Sequence, residues 1–387
     1  MTDDINAPLV FLIAGEPSGD AIGARLMTAL RARHGNDIRF AGIGGEAMMS
    51  ERLESLFPIS DISIMGLLEI LPRLSLVLRR IGETVAAIQE LKPDIVVSID
   101  SPAFCFRVWR RLGKRSPPLM HYVAPTVWAW RPERAQKFAD AIQHLLALLP
   151  FEPPYFEKVG LPCTFVGHPV LESGADRGDG AAFRAYHGIS ADERVLAVLP
   201  GSRRGEVNRL LRPFGATVKN LVETHPGLHV VVPTLPPVAD LVRAAVADWP
   251  ANVIVVPDMS QKFDAMAACD AALAASGTVA LELAMAGVPM VIGYRLNVLT
   301  GLVVRRLIRV KYVCLINLLL DRQAVPELLM ADCRAERLTP EIDHLLRSRE
   351  AGKCQIDACA QAIGKLDAGS GVPSDRAARA VLAMILK

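Results

Sequence analysis

No stretch of this 387-residue chain offers the roughly 18 uninterrupted apolar residues that a spanning helix requires, so the sequence predicts no membrane span. GxGxxG is absent, which removes the dinucleotide fingerprint, and GxxxxGK[ST] is absent, which argues against ATP hydrolysis of the Walker type. The seven cysteines, Cys105, Cys163, Cys269, Cys314, Cys333, Cys354 and Cys359, form neither a paired disulfide framework nor a CxxC zinc pattern. They fit a reducing compartment, and no metal site is expected. Charge of neither sign is in excess: a net charge of +2 gives no bulk argument for nucleic acid, so any basic effect must be local. The opening residues, MTDDINAPLVFLIAG, are acidic where a secretory signal is basic, and their apolar run feeds straight into a glycine turn. They predict a first buried strand in a cytoplasmic protein.

What is present is a repeated local pattern in a chain long enough for two domains. A short apolar run ends in a small-residue turn, and a helical pattern follows, as in an open parallel α/β sheet. In AASGTVALELAMAGVPMVI, the turn Ser276, Gly277 and Thr278 lets a ligand approach the backbone, and the free N–H groups beyond it favour an anion. Glu282, at i+4 from Thr278, can face the same cleft and accept hydrogen bonds from hydroxyls beside that anion. A phosphate next to a diol describes a nucleotide. In PGSRRGEV the pattern returns with Gly201, Ser202, Arg203 and Arg204, and arginine at a helix mouth is a multi-pronged partner for phosphate.

In the first half, GEPSGD follows the first strand and offers Glu16, Ser18 and Asp20 as exposed groups for a polar substrate, although Ser18 can equally be a helix cap. Asp100 ends the strand of DIVVSID, either as a cap or as a carboxylate base in the crevice beyond the sheet. His121 flanks the next strand end, Trp128 follows it as packing or as a platform for a sugar or lipid edge, and His168 stands at a later strand end. ESGADRGDG, residues 172–180, is small and polar, with nothing expected to be buried, and marks the domain boundary. The expected division is 1–173, 174–350, and a helical tail 351–387 that can pack on the N-terminal domain. Two segments are greasy and arginine-bearing: residues 64–88, interrupted by Pro72 and containing the acceptor-side candidate Met65, and residues 294–320. Each reads either as a surface for anionic lipid or as a buried helix with snorkelling arginines.

The motifs AGEPSGD, MGLLEI, SIDSPAF, HYVAPTVWAW, LPFEPPYF, GHPV, LPGSRRGEV, ASGTVALE, PMVIGYR and NLLLDRQAVPELL follow one another as in the lipid-A-disaccharide synthase family, which the chain resembles over nearly its whole length. The resemblance implies the α/β GT-B fold, with two Rossmann-like parallel-sheet domains facing across a cleft. It implies inverting transfer of 2,3-diacylglucosamine from UDP to the 6-hydroxyl of 2,3-diacylglucosamine 1-phosphate. It further implies that Asp100 is essential, that Arg203 is catalytically important, that Glu282 binds ribose and that Asn317 contacts the nucleotide. No cofactor is implied, since UDP is part of the donor. The implied setting is peripheral, on the cytoplasmic face of the inner membrane, as a monomer or homodimer with diacylated glucosamine substrates and no nucleic acid. Two departures stand out: Ala103 where the family commonly has an acid, and INLLLDR around Asp321 where PNxLAGR is frequent.

Overall fold

The computed structural model describes residues 7–35, 37–63, 67–113, 116–297 and 310–386. Met65 and residues 298–309 of the second greasy segment lie outside them. Two compact units are present: Met1–Pro169 joined by Leu366–Lys387, and Val170–Lys365. The helix Arg349–Gly364, which the sequence reading divides at 350, stays whole within the second unit.

The first unit holds strands β1 (Leu9–Ala14), β2 (Arg39–Ile43), β3 (Ile95–Ile99), β4 (Leu119–Tyr122), β5 (His144–Ala147) and β6 (Cys163–Phe165) in the order β2-β1-β3-β4-β5-β6, all parallel. Strands β1 and β3 are buried along their whole length, because a parallel sheet is covered on both faces and its central strands are apolar throughout. Alternation still sorts their side chains. Phe11, Ile13 and Val96 enter one core with the helices Leu67–Leu91 and Pro102–Leu112, while Val10, Leu12 and Val97 enter the other with Pro17–His34. That second core is completed by Ala377, Ala378 and Val381 of the last helix, Pro373–Ile385. Its Arg376 donates to the carbonyls of Val166, Gly369 and Gly371, tying the returning chain to the end of the sheet.

The second unit repeats the plan with β7 (Val195–Leu199), β8 (His229–Pro233), β9 (Asn252–Val256), β10 (Ala271–Ala274), β11 (Met290–Tyr294) and β12 (Glu327–Leu329), ordered β12-β11-β10-β7-β8-β9 and parallel.

Two expectations are corrected. The small-residue stretch 172–180 is not wholly exposed: Ala175 is fully buried, and a Cβ added to Gly178 would lie 2.2 Å from the Phe263 carbonyl oxygen. Its lack of side chains lets it pack directly on a neighbouring helix. Nor does Pro72 interrupt its segment, since one helix, Leu67–Leu91, runs through it. Ile81 and Ile88 of that helix face the core, whereas Leu74 and Leu78 are 44% and 42% exposed. Among the described residues no helix is long and apolar enough to cross a membrane.

Candidate active site

In each sheet the order of strands reverses once, and ligands of open α/β sheets bind at the carboxyl ends of the two strands flanking that point. In the first unit those strands are β1 and β3. The turn after β1 brings Gly15 so close to the turn after β3 that a Cβ there would lie 2.2 Å from the Ser101 Cβ. Across this contact Ser18 Oγ donates to Asp100 Oδ2 at 3.3 Å, and Asp100 Oδ1 accepts the Ser101 N–H at 2.7 Å. Asp100 and Ser101 both have left-handed backbones, φ 56° and 47°, and Val123 at the end of neighbouring β4 has φ 81°. Such a conformation is uncommon outside glycine and strained for a β-branched residue, and strain of this kind gathers at functional sites. The carboxylate of Asp100 opens on a cavity of about 290 Å3 lined by Val123, Pro125, Thr126, Arg134 and Phe138. A half-buried carboxylate beside an open cavity can take a proton from a hydroxyl placed there.

The second unit has its reversal between β7 and β10. The turns expected to hold phosphate, Gly201-Ser202-Arg203 and Ser276-Gly277-Thr278, follow these two strands and so share one rim. Gly201 has φ 110° and Gly277 φ 154°, with open space over Gly277 for a ligand against the backbone. Arg203, exposed, is the N-cap of the long helix Arg204–Thr224. Ser276 Oγ donates to the Val313 carbonyl at 3.5 Å.

Sequence reasoning missed what steadies these turns. Glu206, 8% exposed, reaches back to the Ser202 N–H at 3.2 Å and fills the space over Gly201, where a Cβ would meet its carboxylate at 2.1 Å. A glutamate at the third helical position was the available signal, since it is where a capping carboxylate belongs. Burial, and then the Glu206 carboxylate, raise the Tyr294 phenol above its ordinary value, opposed by Arg203 and Arg209, so these four side chains form one electrostatic cluster. Lys262 Nζ lies 2.7 and 2.6 Å from the two oxygens of Glu282. A carboxylate has about four acceptor positions, so Glu282 retains capacity for a diol while Lys262 fixes its orientation. Lys262→Met should raise the UDP dissociation constant about tenfold, within the range expected for a lost charge-assisted hydrogen bond. Calorimetric titration with UDP checks this, and unchanged affinity would remove Lys262 from the site.

Several other candidates receive structural work instead. Asp20 is not exposed but 6% accessible, and its carboxylate accepts the backbone N–H groups of Gly45, Ala47 and Met48, capping the helix Glu46–Ser50. His121 is fully buried, 2.9 Å from Ser98 Oγ and edge-on to Trp109, with burial lowering its pKa to about 3. His168 is 6% exposed, and burial lowers its pKa to about 4. Both imidazoles are buried in the core, which favours their neutral form. Asn317 is fully buried and spends its amide locally: Oδ1 accepts from Ala324 and Val325, and Nδ2 donates to the Val325 carbonyl and to Glu327. It braces the turn leading to β12 and has no side-chain group left for a nucleotide. Asp321 beside it has φ 52°, a left-handed position that aspartate tolerates and glycine fills easily, so this departure from the family pattern preserves the bend. Glu16 stands at the N-cap position of Pro17–His34, but its side chain makes no capping hydrogen bond, so it stays beside Ser18 as an acceptor-side candidate.

Trp128 donates its indole N–H to Glu152 at 3.1 Å, and Glu152 also accepts the backbone N–H groups of Leu148 and Leu149. Burial raises the Glu152 pKa to about 7, against the three donors that lower it. The native state therefore binds this proton more tightly than the unfolded chain, and Glu152 contributes stability below about pH 4.5 that is lost as pH rises through 7. The loss amounts to roughly 3 kcal/mol at most. Denaturant unfolding from pH 4 to 8 should show wild type losing stability relative to Glu152→Gln over that window. A pH-independent difference between the two would refute the assignment.

A sequence profile described as Lipid-A-disaccharide synthetase matches residues 10–380. The lipid-A-disaccharide synthase of Rhodospirillum centenum is 56% identical over 98% of this chain and 95% of its own length. That of Paramagnetospirillum magneticum is 49% identical over 97% of each chain. Among solved structures, the S. aureus MnaA-UDP co-structure superposes with TM-score 0.68 at 12% identity, covering 98% of both chains. The UDP-GlcNAc 2-epimerase of Neisseria meningitidis bound to UDP-GlcNAc does so with TM-score 0.63 at 14% identity, covering 98% of this chain and 99% of that one. At these identities the superpositions speak for the fold alone, two parallel-sheet domains of the GT-B type. By its matched length and its identity to these synthases, the chain belongs to the lipid-A-disaccharide synthase family.

Proposed function

We propose that the chain joins two acylated glucosamines. It transfers 2,3-diacylglucosamine from its UDP derivative to the 6-hydroxyl of 2,3-diacylglucosamine 1-phosphate, giving the β-1,6 disaccharide 1-phosphate and UDP. The observation that carries this reading is its near-complete match to the synthase family together with the chemistry at each sheet's reversal: a carboxylate in one unit, and an arginine with two glycine turns in the other.

Asp100 accepts the proton of the attacking hydroxyl as its oxygen bonds to the anomeric carbon. The bond from that carbon to the diphosphate oxygen breaks on the opposite face, and the electron pair leaves with UDP. Arg203 and the N–H groups of the Ser276 to Thr278 turn stabilise the negative charge growing on the diphosphate. The alcohol is itself the nucleophile, so inversion needs no covalent sugar–enzyme intermediate. Exposed Leu74 and Leu78, with Arg73 and Arg79 on the same helix, support peripheral contact with anionic lipid at the cytoplasmic face of the inner membrane, where diacylated substrates reside.

The test is incubation of the purified protein with both substrates in detergent micelles. Stoichiometric disaccharide phosphate and UDP are expected. Release of an epimerised or hydrolysed sugar without disaccharide would overturn the assignment.

A further inference from the structure

The cavity at Asp100 does not end there. It shares Pro102, Arg134 and Phe138 with a second cavity of about 350 Å3, which shares Phe106, Arg110 and Lys137 with a third of about 670 Å3. Together they form a trough between the helices Pro102–Leu112 and Arg134–Ala139 of the first unit. Its middle section is lined by four cations, Arg107, Arg110, Arg134 and Lys137, and by no acid. Asp140 enters only at the far end and is engaged by Gln136. Arg110 and Lys137 are exposed and make no hydrogen bond or ion pair among the described residues. Three arginines elsewhere in this unit are paired with acids: Arg31 with Glu51, Arg33 with Asp375, and Arg80 with Asp61. Cations converging on an aromatic floor of Phe106 and Phe138, two of them, Arg110 and Lys137, with no counter-charge among the described residues, are complementary to a dianion carried on an apolar molecule. A side branch at Arg107 and Arg110 leads to Leu78 and Ile81 of the partly exposed helix Leu67–Leu91.

We infer that the middle of this trough is the subsite for the phosphate of the acceptor, with the aromatic floor and the Leu78 branch taking an acyl chain. The inference rests on the reaction proposed above and adds the group that selects the phosphorylated sugar. Arg107 and Arg110 follow Pro102 by five and eight residues, about 7.5 and 12 Å along the helix, and helical side chains lean toward the N-terminus, so both long guanidinium side chains can reach back to a phosphate one sugar ring away from Asp100. A sugar whose free hydroxyl sits at Asp100 therefore carries its anomeric phosphate among these cations. Arg110 and Lys137 come from different helices and grip it from both walls.

The test compares wild type with the Arg110→Ala, Lys137→Ala double variant in detergent micelles, using 2,3-diacylglucosamine 1-phosphate and the same acceptor without its phosphate. Two lost charge-assisted contacts predict a loss in kcat/KM for the phosphorylated acceptor of about 10- to 100-fold. It should be carried mainly by the acceptor KM and be at least about tenfold larger than the loss for the dephosphorylated acceptor. Equal losses with both acceptors, or none, would overturn the subsite. So would kinetics unchanged in micelles but weaker binding to phosphatidylglycerol vesicles, which would assign the cations to lipid headgroups. Calorimetric titration of both proteins with the phosphorylated acceptor gives a readout independent of turnover. Weaker binding by the variant alongside an inactive wild type would uphold the subsite while refuting the transfer reaction, and equal binding would refute the subsite itself.

Discussion

Asp100→Asn should lower the turnover number by about 10²- to 10⁴-fold, the range for loss of a positioned general base, while leaving UDP affinity near that of wild type. Asparagine is the right replacement because residue 100 has φ 56°, and asparagine adopts left-handed backbone at little cost. It can also accept from the Ser101 N–H as aspartate does, so the turn survives while the basic oxygen is lost. Alanine would mix that loss with added backbone strain. Steady-state kinetics at saturating donor, with calorimetric titration of UDP on the same preparations, separate the two effects. A variant within a few-fold of wild type would move the base elsewhere. His121 and His168 are poor substitutes, because both are buried with pKa values lowered to about 3 and about 4.

Arg203→Ala should cost about 10²- to 10³-fold, comparable to removing one donor from an oxyanion site. Arg203 acts on charge that grows as the diphosphate departs, so kcat should carry more of the loss than donor KM. Arg203→Lys should recover only part, because lysine supplies a point charge without the planar fork. Glu206 sets the sharper contrast. Its carboxylate holds the Ser202 N–H and fills the space over Gly201, so Glu206→Ala should loosen the turn and raise donor KM along with lowering kcat. If alanine at 203 changed KM alone, the arginine would be a binding group and not a stabiliser of the transition state.

The sheets were legible because burial on both faces writes their central strands as continuous apolar runs, and the turns after β3, β7 and β10 were legible because glycine, serine and a polar terminus interrupt those runs. Asp100, Arg203 and the Ser276 to Thr278 turn could thus be named from local pattern. Other assignments depended on partners remote in sequence. Asp20 looks like a free acid in GEPSGD, yet the three N–H groups it caps lie at residues 45, 47 and 48, across a strand crossover. Asn317 looks presentable on a short helix until the loop at 324 and 325 folds over it. Lys262 could not be foreseen as the partner of Glu282 because twenty residues and a buried strand separate them. The basic trough was hidden for the same reason, its cations being divided between two helices, Pro102–Leu112 and Arg134–Ala139, that a strand separates in sequence.

The central claim is direct attack by the acceptor hydroxyl, with Asp100 taking its proton and no sugar ever bonded to the protein. The most direct measurement is the anomeric configuration of the disaccharide made from the α-linked UDP donor, read by NMR from the proton coupling at the new linkage. A β-linkage is the predicted result, since one displacement inverts the centre. An α-linkage would contradict the account, because retention requires a second displacement and a nucleophile to which it assigns no residue.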